Sequence, residues 1–126
     1  MRILSIEQII QIHDEILESS GGCSGIRDKN LLTSAINSPL QTFNGTSLYK
    51  TDLEKITRIS YGIARNHSFL DGNKRIAAIV LLTLLEINQF NFEITDEELV
   101  NIFINVGSGE LTYEEFLEYI RQNLKK

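Results

Sequence analysis

The feature that most constrains the fold is an almost wholly apolar run from Ile76 to Leu85, interrupted only by Thr83. Wound as a helix, this run places apolar side chains on every face, so other parts of the chain must surround it. It is too short to cross a bilayer, which takes roughly 20 residues. The run therefore predicts a central buried helix, which we expect to begin near Asn73 and to end near Asn88.

Four further helices are predicted by one repeated start signal, a Ser or Thr followed three residues later by Gln or Glu. The four pairs are Ser5 with Gln8, Thr51 with Glu54, Thr95 with Glu98, and Thr112 with Glu115. Asp28 predicts one more, short helix, whose end Pro39 marks. The sequence thus predicts about six helices, and the predicted fold class is all-α.

Turn residues predict where the helices end. We expect the first helix to stop by Gly21-Gly22, within a polar, glycine-rich turn over residues 19–25. The helix that follows Thr51 should reach about Asn66, and the one that follows Thr95 should end at Gly107. Lys125-Lys126 suit the C-terminus of the last helix, because cations are favourable there.

The remaining segments predict little regular structure. Residues 39–50 form a loop in which Asn44-Gly45 is a strong turn signal, so that either a short β-hairpin or a plain surface connection fits. Residues 90–94 alternate in polarity and predict a short extended link. His13, in the first helix, is interpreted as a partly exposed histidine without a catalytic role.

Composition limits the class of protein. The chain has 126 residues, which suits a single domain over residues 1–126, and its net charge of −5 gives no basic surface for generic nucleic-acid binding. Cys23 is the only cysteine, so the fold cannot depend on an internal disulfide. The N-terminal residues lack the apolar core of a signal peptide. These features predict a soluble, cytoplasmic protein that does not bind membranes.

Chemically versatile residues gather directly before the apolar run, between Asn66 and Arg75. His67 is the side chain there that can accept a proton near pH 7. Asp71 could hold a magnesium ion, which typically takes one or two carboxylates and completes its coordination with phosphate and water. Gly72 allows the backbone to approach an anion closely. The segment therefore combines a base with a candidate metal ligand.

The first turn of the predicted central helix supplies an anion site. Free backbone N–H groups and the helix dipole favour an anion at the residues that begin the helix, Asn73, Lys74 and Arg75. Lys74 and Arg75 add positive charge, and a guanidinium can bind phosphate through two parallel hydrogen bonds. A base, a metal ligand and a phosphate site together predict phosphoryl or nucleotidyl transfer to a hydroxyl. Phe69 is expected to point inward and anchor the loop.

Other interpretations of this segment are weaker. Asp71 and Asn73 could merely cap the helix while the two basic residues are solvated, but cations are unfavourable beside the positive end of a helix dipole. A zinc hydrolase would need three or four ligands, and only His67 and Asp71 are near each other in sequence. The chain has no phosphate-binding Gly-x-x-x-x-Gly-Lys-Ser/Thr motif and no nucleophile elbow for a serine or cysteine triad.

The pattern His67-x-Phe69-x-Asp71-Gly72-Asn73-Lys74-Arg75 resembles the signature of the Fic/Doc superfamily, and specifically of its Doc (death-on-curing) branch. The wider Fic pattern reads His-Pro-Phe-x-Asp/Glu-Gly-Asn-Gly-Arg, and the Doc branch has Lys where Fic adenylyltransferases have the second Gly. The resemblance extends over most of residues 20–90. It includes Gly25-Ile26-Arg27-Asp28, Leu31-Leu32-x-Ser34-Ala35 and the helix after the motif.

The resemblance implies a compact Fic-fold domain and a role for each residue of the motif. His67 would be the general base that deprotonates the acceptor hydroxyl, and Asp71 would hold Mg²⁺ with the phosphates of ATP. Gly72, Asn73 and Lys74 would line the anion hole, and Arg75 would bind phosphate.

The resemblance also implies a reaction and partners. Lys74 is associated with a reversed ATP, so that the γ-phosphoryl group and not AMP is transferred to a Ser or Thr hydroxyl. The family target is a threonine of translation elongation factor Tu, whose modification arrests translation, and such toxins pair with an antitoxin. A flap before the motif, here within residues 39–50, would dock the target chain by backbone pairing.

The sequence departs from the family pattern at two positions, Ser68 in place of Pro and Ile76 in place of Thr, and the loss of that Thr hydroxyl could weaken phosphate binding. No Ser or Thr precedes a Glu by four residues, so the self-inhibitory Ser/Thr-x-x-x-Glu motif of many Fic proteins is missing. Inhibition should therefore come from another chain. Two alternatives stay open: a Fic-type protein adenylyltransferase, and a catalytically idle binding protein on the same fold.

Overall fold

Helices make up most of the computed structural model, which describes residues 1–21 and 25–125. The helices are α1 (Ile6–Ser20), α2 (Lys29–Asn37), α3 (Asp52–Asn66), α4 (Asn73–Ile87), α5 (Asp96–Ser108) and α6 (Tyr113–Gln122). A short 3₁₀ helix, Ser38–Leu40, continues α2 past Pro39. The predicted all-α class is confirmed. Cys23 and its two neighbours in the predicted glycine-rich turn, residues 22–24, lie outside the described residues.

The predicted start signals are confirmed at every helix that carries one. In α1, α3, α5 and α6 the hydroxyl of the N-cap residue accepts the backbone N–H three residues on, and the Gln or Glu at that position bonds back to the N-cap N–H. Asp28 caps α2 by accepting the N–H groups of Asn30 and Leu31. α4 is the exception, because its N-cap is Gly72 and no side chain caps it.

Helix α4 lies at the centre of the core, as its apolar run predicts. Its buried residues are Ile76, Ala77, Ala78, Val80, Leu81, Leu84 and Leu85. Helices α1, α3 and α5 pack around it, and α3 has the most extensive contact. A buried hydrogen bond of 2.8 Å from Ser60 Oγ to the carbonyl oxygen of Ala77 joins α3 to α4. Leu82 is 37% exposed, so one edge of the helix reaches the surface.

The loop over residues 39–50 contains the short hairpin that the turn signal allowed. Strands β1 (Thr42–Phe43) and β2 (Thr46–Ser47) pair antiparallel. Asn44 and Gly45 connect them with φ angles of 52° and 77°. Two consecutive positive φ angles are the conformation in which an Asn-Gly pair joins two strands tightly. The hairpin extends into solvent, since Phe43 and Leu48 are 80% and 74% exposed.

Two predictions near the C-terminus were wrong. Helix α5 continues past Gly107 to Ser108, and Gly109 ends it with a φ of 86°. Gly107 lies within the helix and faces the side chain of Lys74. Its missing Cβ makes room for that side chain, and Gly107 does not end the helix. Helix α6 ends at Gln122 with Asn123 as its C-cap, and Leu124–Lys125 form a strand where the sequence predicts helix.

That strand, β4 (Leu124–Lys125), pairs antiparallel with β3 (Asn91–Phe92). The predicted extended link over residues 90–94 is thus one half of a second two-stranded sheet. An ion pair of 2.8 Å between Lys125 Nζ and Glu93 supports the pairing. No helix in the described part of the chain is long and apolar enough to cross a membrane.

Candidate active site

The residues singled out between Asn66 and Arg75 form the connection from α3 to α4. His67 ends α3 as its C-cap, with φ 54° and ψ 45°. This left-handed conformation turns the chain away from the helix axis, and histidine adopts it more readily than most residues with a Cβ. The His67 side chain is exposed, and its ring has no hydrogen-bond partner among residues 1–21 and 25–125. It is therefore open to a substrate.

The loop is fastened to the segment that precedes α2. Ser68 O accepts the N–H groups of Arg27 and Asp28 at 2.8 and 2.9 Å, and Leu70 N–H donates to Gly25 O. Ile26 and Phe69 form an isolated antiparallel bridge between the two segments. Arg27 Nε also donates to the carbonyl oxygen of His67 at 2.7 Å. The segment 25–28, which carries part of the family resemblance, thus supports the backbone of the motif.

Asn66 links the same loop to α2. Its Nδ2 donates to the carbonyl oxygen of Leu31 at 2.8 Å. Its Oδ1 accepts both the N–H and the hydroxyl of Ser68. Ser68 is fully buried, and sequence reasoning assigned it no function. The hydroxyl and the N–H of Ser68 both donate to Asn66 Oδ1, and a Pro at this position would have neither donor.

Asn73 holds the loop from the other side. Its Oδ1 accepts the N–H of Phe69, and its Nδ2 donates to the carbonyl oxygen of the same residue, both at 3.0 Å. Phe69 is 1% exposed, as predicted for the anchor of the loop. Both polar atoms of the Asn73 side chain are bonded to Phe69, so the group that Asn73 offers to an anion is its backbone N–H.

His13 was predicted to be partly exposed, and this was wrong. It is 1% exposed, and its ring stacks on Phe69 with 3.8 Å between ring centroids. Its Nε2 lies 2.7 Å from the carbonyl oxygen of Asp71. Helix α1 thereby contacts the motif loop through His13. Ile9 and Leu17, which lie four positions before and after His13 and are both buried, were the available signal of a buried face.

The first turn of α4 differs from that of the other helices. Gly72, with a φ of 78°, offers no side-chain cap, and no acidic residue occupies the turn. The basic residues Lys74 and Arg75 stand there instead, both exposed. The alternative that Asn73 caps α4 does not hold, because its side-chain amide is bonded to the backbone of Phe69. Asp71 Oδ1 accepts the N–H of Gly72 at 2.7 Å.

A cleft of about 350 Å³ opens over this turn. It is lined by Ala64, His67, Leu70, Asp71, Gly72, Asn73, Lys74, Arg75 and Gly107. The aliphatic part of Lys74 lies against Gly107, where a Cβ would come within 2.8 Å of Lys74 Cδ. All six residues that the sequence assigned to catalysis, phosphate or metal therefore line one cleft. The cleft joins a proton acceptor to an uncapped, cationic helix N-terminus, a geometry that suits a phosphorylated ligand.

The metal-binding side chains of the cleft fit a magnesium site better than a zinc site. No three His, Cys, Asp or Glu side chains among the described residues are grouped to hold a metal ion, which argues against a zinc centre built from protein ligands alone. A single carboxylate beside a phosphate site is the arrangement in which magnesium binds together with a nucleotide. Asp71 therefore fits a Mg²⁺ ion that arrives with its phosphates.

Comparison with known proteins agrees with the geometry. Residues 3–85 match the model of the Fic/DOC family. This match covers more than half of the chain, and the chain belongs to the Fic/DOC family. It is similar to the protein named "Toxin Doc" of Mycolicibacterium smegmatis (strain ATCC 700084 / mc(2)155), with 38% identity over 68 residues. The match covers 54% of this chain and spans about half, 52%, of that relative.

Proposed function

We propose that this protein is a Doc-type toxin that transfers the γ-phosphoryl group of ATP to a Ser or Thr hydroxyl of a protein target. The observation that carries the proposal is the cleft in which His67 faces the uncapped, basic first turn of α4. Membership of the Fic/DOC family and the similarity to a Doc toxin support it.

His67 is the general base in this proposal. Its exposed ring accepts the proton of the acceptor hydroxyl as the oxygen attacks the γ-phosphorus. The bond from phosphorus to the β–γ bridging oxygen breaks, and ADP leaves with the electron pair. The left-handed backbone at His67 and the bond from Arg27 to its carbonyl oxygen hold the ring over the cleft. Such positioning is the main source of rate enhancement in phosphoryl transfer.

The first turn of α4 binds the phosphates. The backbone N–H groups of Asn73 and Lys74, at the start of the helix, have no acceptor within the helix, and the helix dipole adds positive potential. The N–H of Gly72 is bonded to Asp71 Oδ1, so Gly72 contributes by leaving room for the anion. The guanidinium of Arg75 and the ammonium of Lys74 offset the charge of the phosphate oxygens. Bound Mg²⁺, held by Asp71 with the phosphates, would add further charge neutralisation.

Lys74 distinguishes this proposal from adenylyl transfer. Where Fic adenylyltransferases have Gly, a four-carbon side chain crowds the pocket and adds a phosphate partner. Its aliphatic stem packs against Gly107 of α5, and the exposed side chain lines the active-site cleft. This packing supports γ-phosphoryl transfer. AMP transfer remains the second candidate because the rest of the motif is shared by both reactions.

The partners follow from the same proposal. By family resemblance the target is translation elongation factor Tu, its modification arrests translation in the cytoplasm, and an antitoxin controls the activity. The absence of the self-inhibitory Ser/Thr-x-x-x-Glu motif from the sequence supports control by a second chain. The exposed hairpin β1–β2 would pair with the target backbone. If removal of Asn44–Leu48 left modification of the target at its full rate, the hairpin would have no such role.

A lysate assay tests the proposal. The wild-type protein, incubated with γ-labelled ATP, magnesium and a bacterial lysate, should label one major protein, which mass spectrometry then identifies. His67→Gln should abolish labelling and growth inhibition, while His13 and the fold remain intact. Growth inhibition that survives in His67→Gln would favour the idle binding protein and would contradict an enzymatic toxin.

A further inference from the structure

A second cleft, of about 390 Å³, lies between α2, α3 and the segment that follows the hairpin. We call it the arginine cleft. It is lined by Leu31, Ser34, Ala35, Ser38, Pro39, Leu48, Tyr49, Arg58, Tyr61, Gly62, Arg65 and Asn66. Two of these residues are arginines, and none is acidic. The chain has a net charge of −5, so a cleft lined by cationic side chains and no acidic ones differs from the chain as a whole.

Arg58 is held in a fixed position in this cleft. Its side chain is half-buried, and its Nε donates to the hydroxyl of Tyr49 at 3.1 Å. The guanidinium carbon lies 5.4 Å from the centroid of the Tyr61 ring, within reach of a cation–π interaction. Within residues 1–21 and 25–125, Arg58 has no carboxylate partner at ion-pair distance. A half-buried guanidinium without such a partner is a site that an anion stabilises.

Arg65 brings a second cation to the cleft from two turns further along α3. Its Nη1 donates to the carbonyl oxygen of Val106 at 3.2 Å, which ties the side chain to α5. In the described part of the chain it also lacks an ion-pair partner. Glu54 is the acidic residue of α3 that lies four positions before Arg58. Its carboxylate accepts hydrogen bonds from Thr51 in the capping box and forms no ion pair with Arg58. No carboxylate among the described residues therefore forms an ion pair with either guanidinium, and that of Arg65 is exposed at the C-terminal end of α5.

The lining indicates which anion fits. Pro39, Leu31 and the tyrosine rings give the cleft apolar walls, against which the methylene groups of an acidic side chain can pack. The hydroxyls of Ser34 and Ser38 are hydrogen-bonded to each other at 3.2 Å, which leaves one hydroxyl proton of the pair as a further donor. A nucleic acid is disfavoured, because it would need a basic stripe that an acidic chain does not provide. A carboxylate of a peptide, bound by planar guanidinium groups, matches both the charge and the walls.

We infer that the arginine cleft binds a Glu or Asp side chain of the protein substrate, close to the hydroxyl that is modified. The C-terminal part of α3 contributes to both clefts, since Ala64 and His67 line the active-site cleft while Arg65 and Asn66 line the arginine cleft. Leu48 and Tyr49 directly follow β2 and connect the arginine cleft with the hairpin. This inference rests on the proposed function only in taking a protein as the acceptor.

Peptide binding tests the inference without requiring turnover. The probes are short fluorescein-labelled Gly/Ser peptides with one central Thr and a pair of Glu placed before or after it, and the same peptides with Gln in place of Glu. Fluorescence anisotropy is measured with the wild-type protein, Arg58→Gln, Arg65→Gln and the double variant. Arg2→Gln is the matched control, because Arg2 is exposed and its hydrogen bonds with Asn88 use only its main chain.

The wild-type protein should bind at least one Glu peptide about tenfold more tightly than its Gln counterpart, as expected for one charge-assisted contact. Each cleft variant should lose this preference, and Arg2→Gln should retain it. Equal binding of Glu and Gln peptides by the wild-type protein would overturn the inference without any variant. A preference that persists in the double variant would overturn it as well.

ATP binding, measured by calorimetry on the same proteins, separates the two proposals. Unchanged ATP affinity in Arg58→Gln supports a peptide site, whereas a large loss of ATP affinity would assign the cleft to the nucleotide and contradict the inference. A Glu preference that depends on the two arginines, in a protein that labels nothing with ATP, would support the arginine cleft while the proposed reaction fails.

Discussion

His13 on α1 donates a hydrogen bond from Nε2 to the carbonyl oxygen of Asp71, at an N–O distance of 2.7 Å. The acceptor is a carbonyl oxygen, so the proton must lie on Nε2. The other ring nitrogen, Nδ1, is buried and has no hydrogen-bond partner in the described part of the chain, since the Asp14 carboxylate at 3.7 Å is too distant to provide one. A buried imidazole thus holds the backbone of the residue that precedes Gly72, and α1 supports the loop that carries the candidate active site.

His13→Phe is expected to displace the Asp71–Gly72 backbone. The substitution keeps a ring against Phe69 but removes the donor, so the free energy of unfolding should fall by about 1–3 kcal/mol. The rate of transfer at saturating ATP should fall about tenfold or more, since small displacements of reacting groups are costly. The measurement is the initial labelling rate at a temperature where both proteins are folded.

The conservative variant His13→Gln distinguishes positioning from general destabilisation. Its amide can donate to Asp71 O, so it should recover a large part of the rate even if it is less stable than His13→Phe. Equal rates for His13→Phe and the wild-type protein would show that the contact does not position the loop.

Gly107→Ala should change the site while stabilising the fold. Gly107 is in the interior of α5, where Ala is favoured by about 0.5–1 kcal/mol over Gly. The new Cβ would come within 2.8 Å of Lys74 Cδ, so the flexible lysine must move. We expect higher stability in urea but about three- to tenfold weaker ATP binding, in line with the loss of one charged contact.

Gly62→Ala is the matched control for that experiment. Gly62 is in α3, and its Cβ would meet Ala35 at an ordinary 3.4 Å, away from Lys74. It should leave ATP affinity unchanged. If Gly107→Ala bound ATP as tightly as Gly62→Ala does, the direction of the Lys74 side chain would not matter for phosphate binding.

Asn73→Ala should loosen the loop, because both hydrogen bonds of the amide go to the backbone of Phe69. Since Phe69 is buried, the unpaired groups should lower the free energy of unfolding by about 1–3 kcal/mol. Urea denaturation measures this change. Asn101→Ala, at an exposed position of α5, should cost far less, and equal losses for the two variants would contradict the role of Asn73 as a loop clamp.

Tyr113 predicts a dependence of stability on alkaline pH. Burial, with a further contribution from the Glu54 carboxylate, raises the pKa of Tyr113 to about 12. Its unfolded pKa is about 10, so the unfolded chain loses its proton first. The contribution of Tyr113 to stability is thus complete below about pH 10 and is lost as the pH rises to about 12. Tyr113→Phe should flatten this decline in urea denaturation curves, and an unchanged decline would contradict it.

Local patterns explain why most of the fold could be predicted. Capping boxes, the Asn44-Gly45 turn and the apolar run act within a few residues, so the sequence itself contains their determinants. The errors concern contacts between distant segments. His13 and Asp71 are 58 positions apart, and the β3–β4 sheet joins residue 91 to residue 125. Nothing in the neighbourhood of either residue indicates such a partner.

In the candidate site, too, local sequence patterns could be read in advance and contacts between distant segments could not. The residue types and spacing from His67 to Arg75 predict a base beside a phosphate site, and the structure brings these residues to one cleft, while their roles stay predictions. The supports of the loop were not predictable in this way. Ser68, Arg27 and Asn66 act through backbone atoms of the loop, and such bonds depend on how α2 and α3 pack.

The most direct measurement of the central claim uses ATP labelled at the γ- or the α-phosphate, in parallel incubations with the protein and a bacterial lysate, followed by the intact mass of the modified protein. Transfer through the cleft of His67 and Lys74 predicts label from the γ-position alone and a mass increase of one phosphoryl group. Label from the α-position with an adenylyl increment would contradict the account and assign the chain to adenylyl transfer.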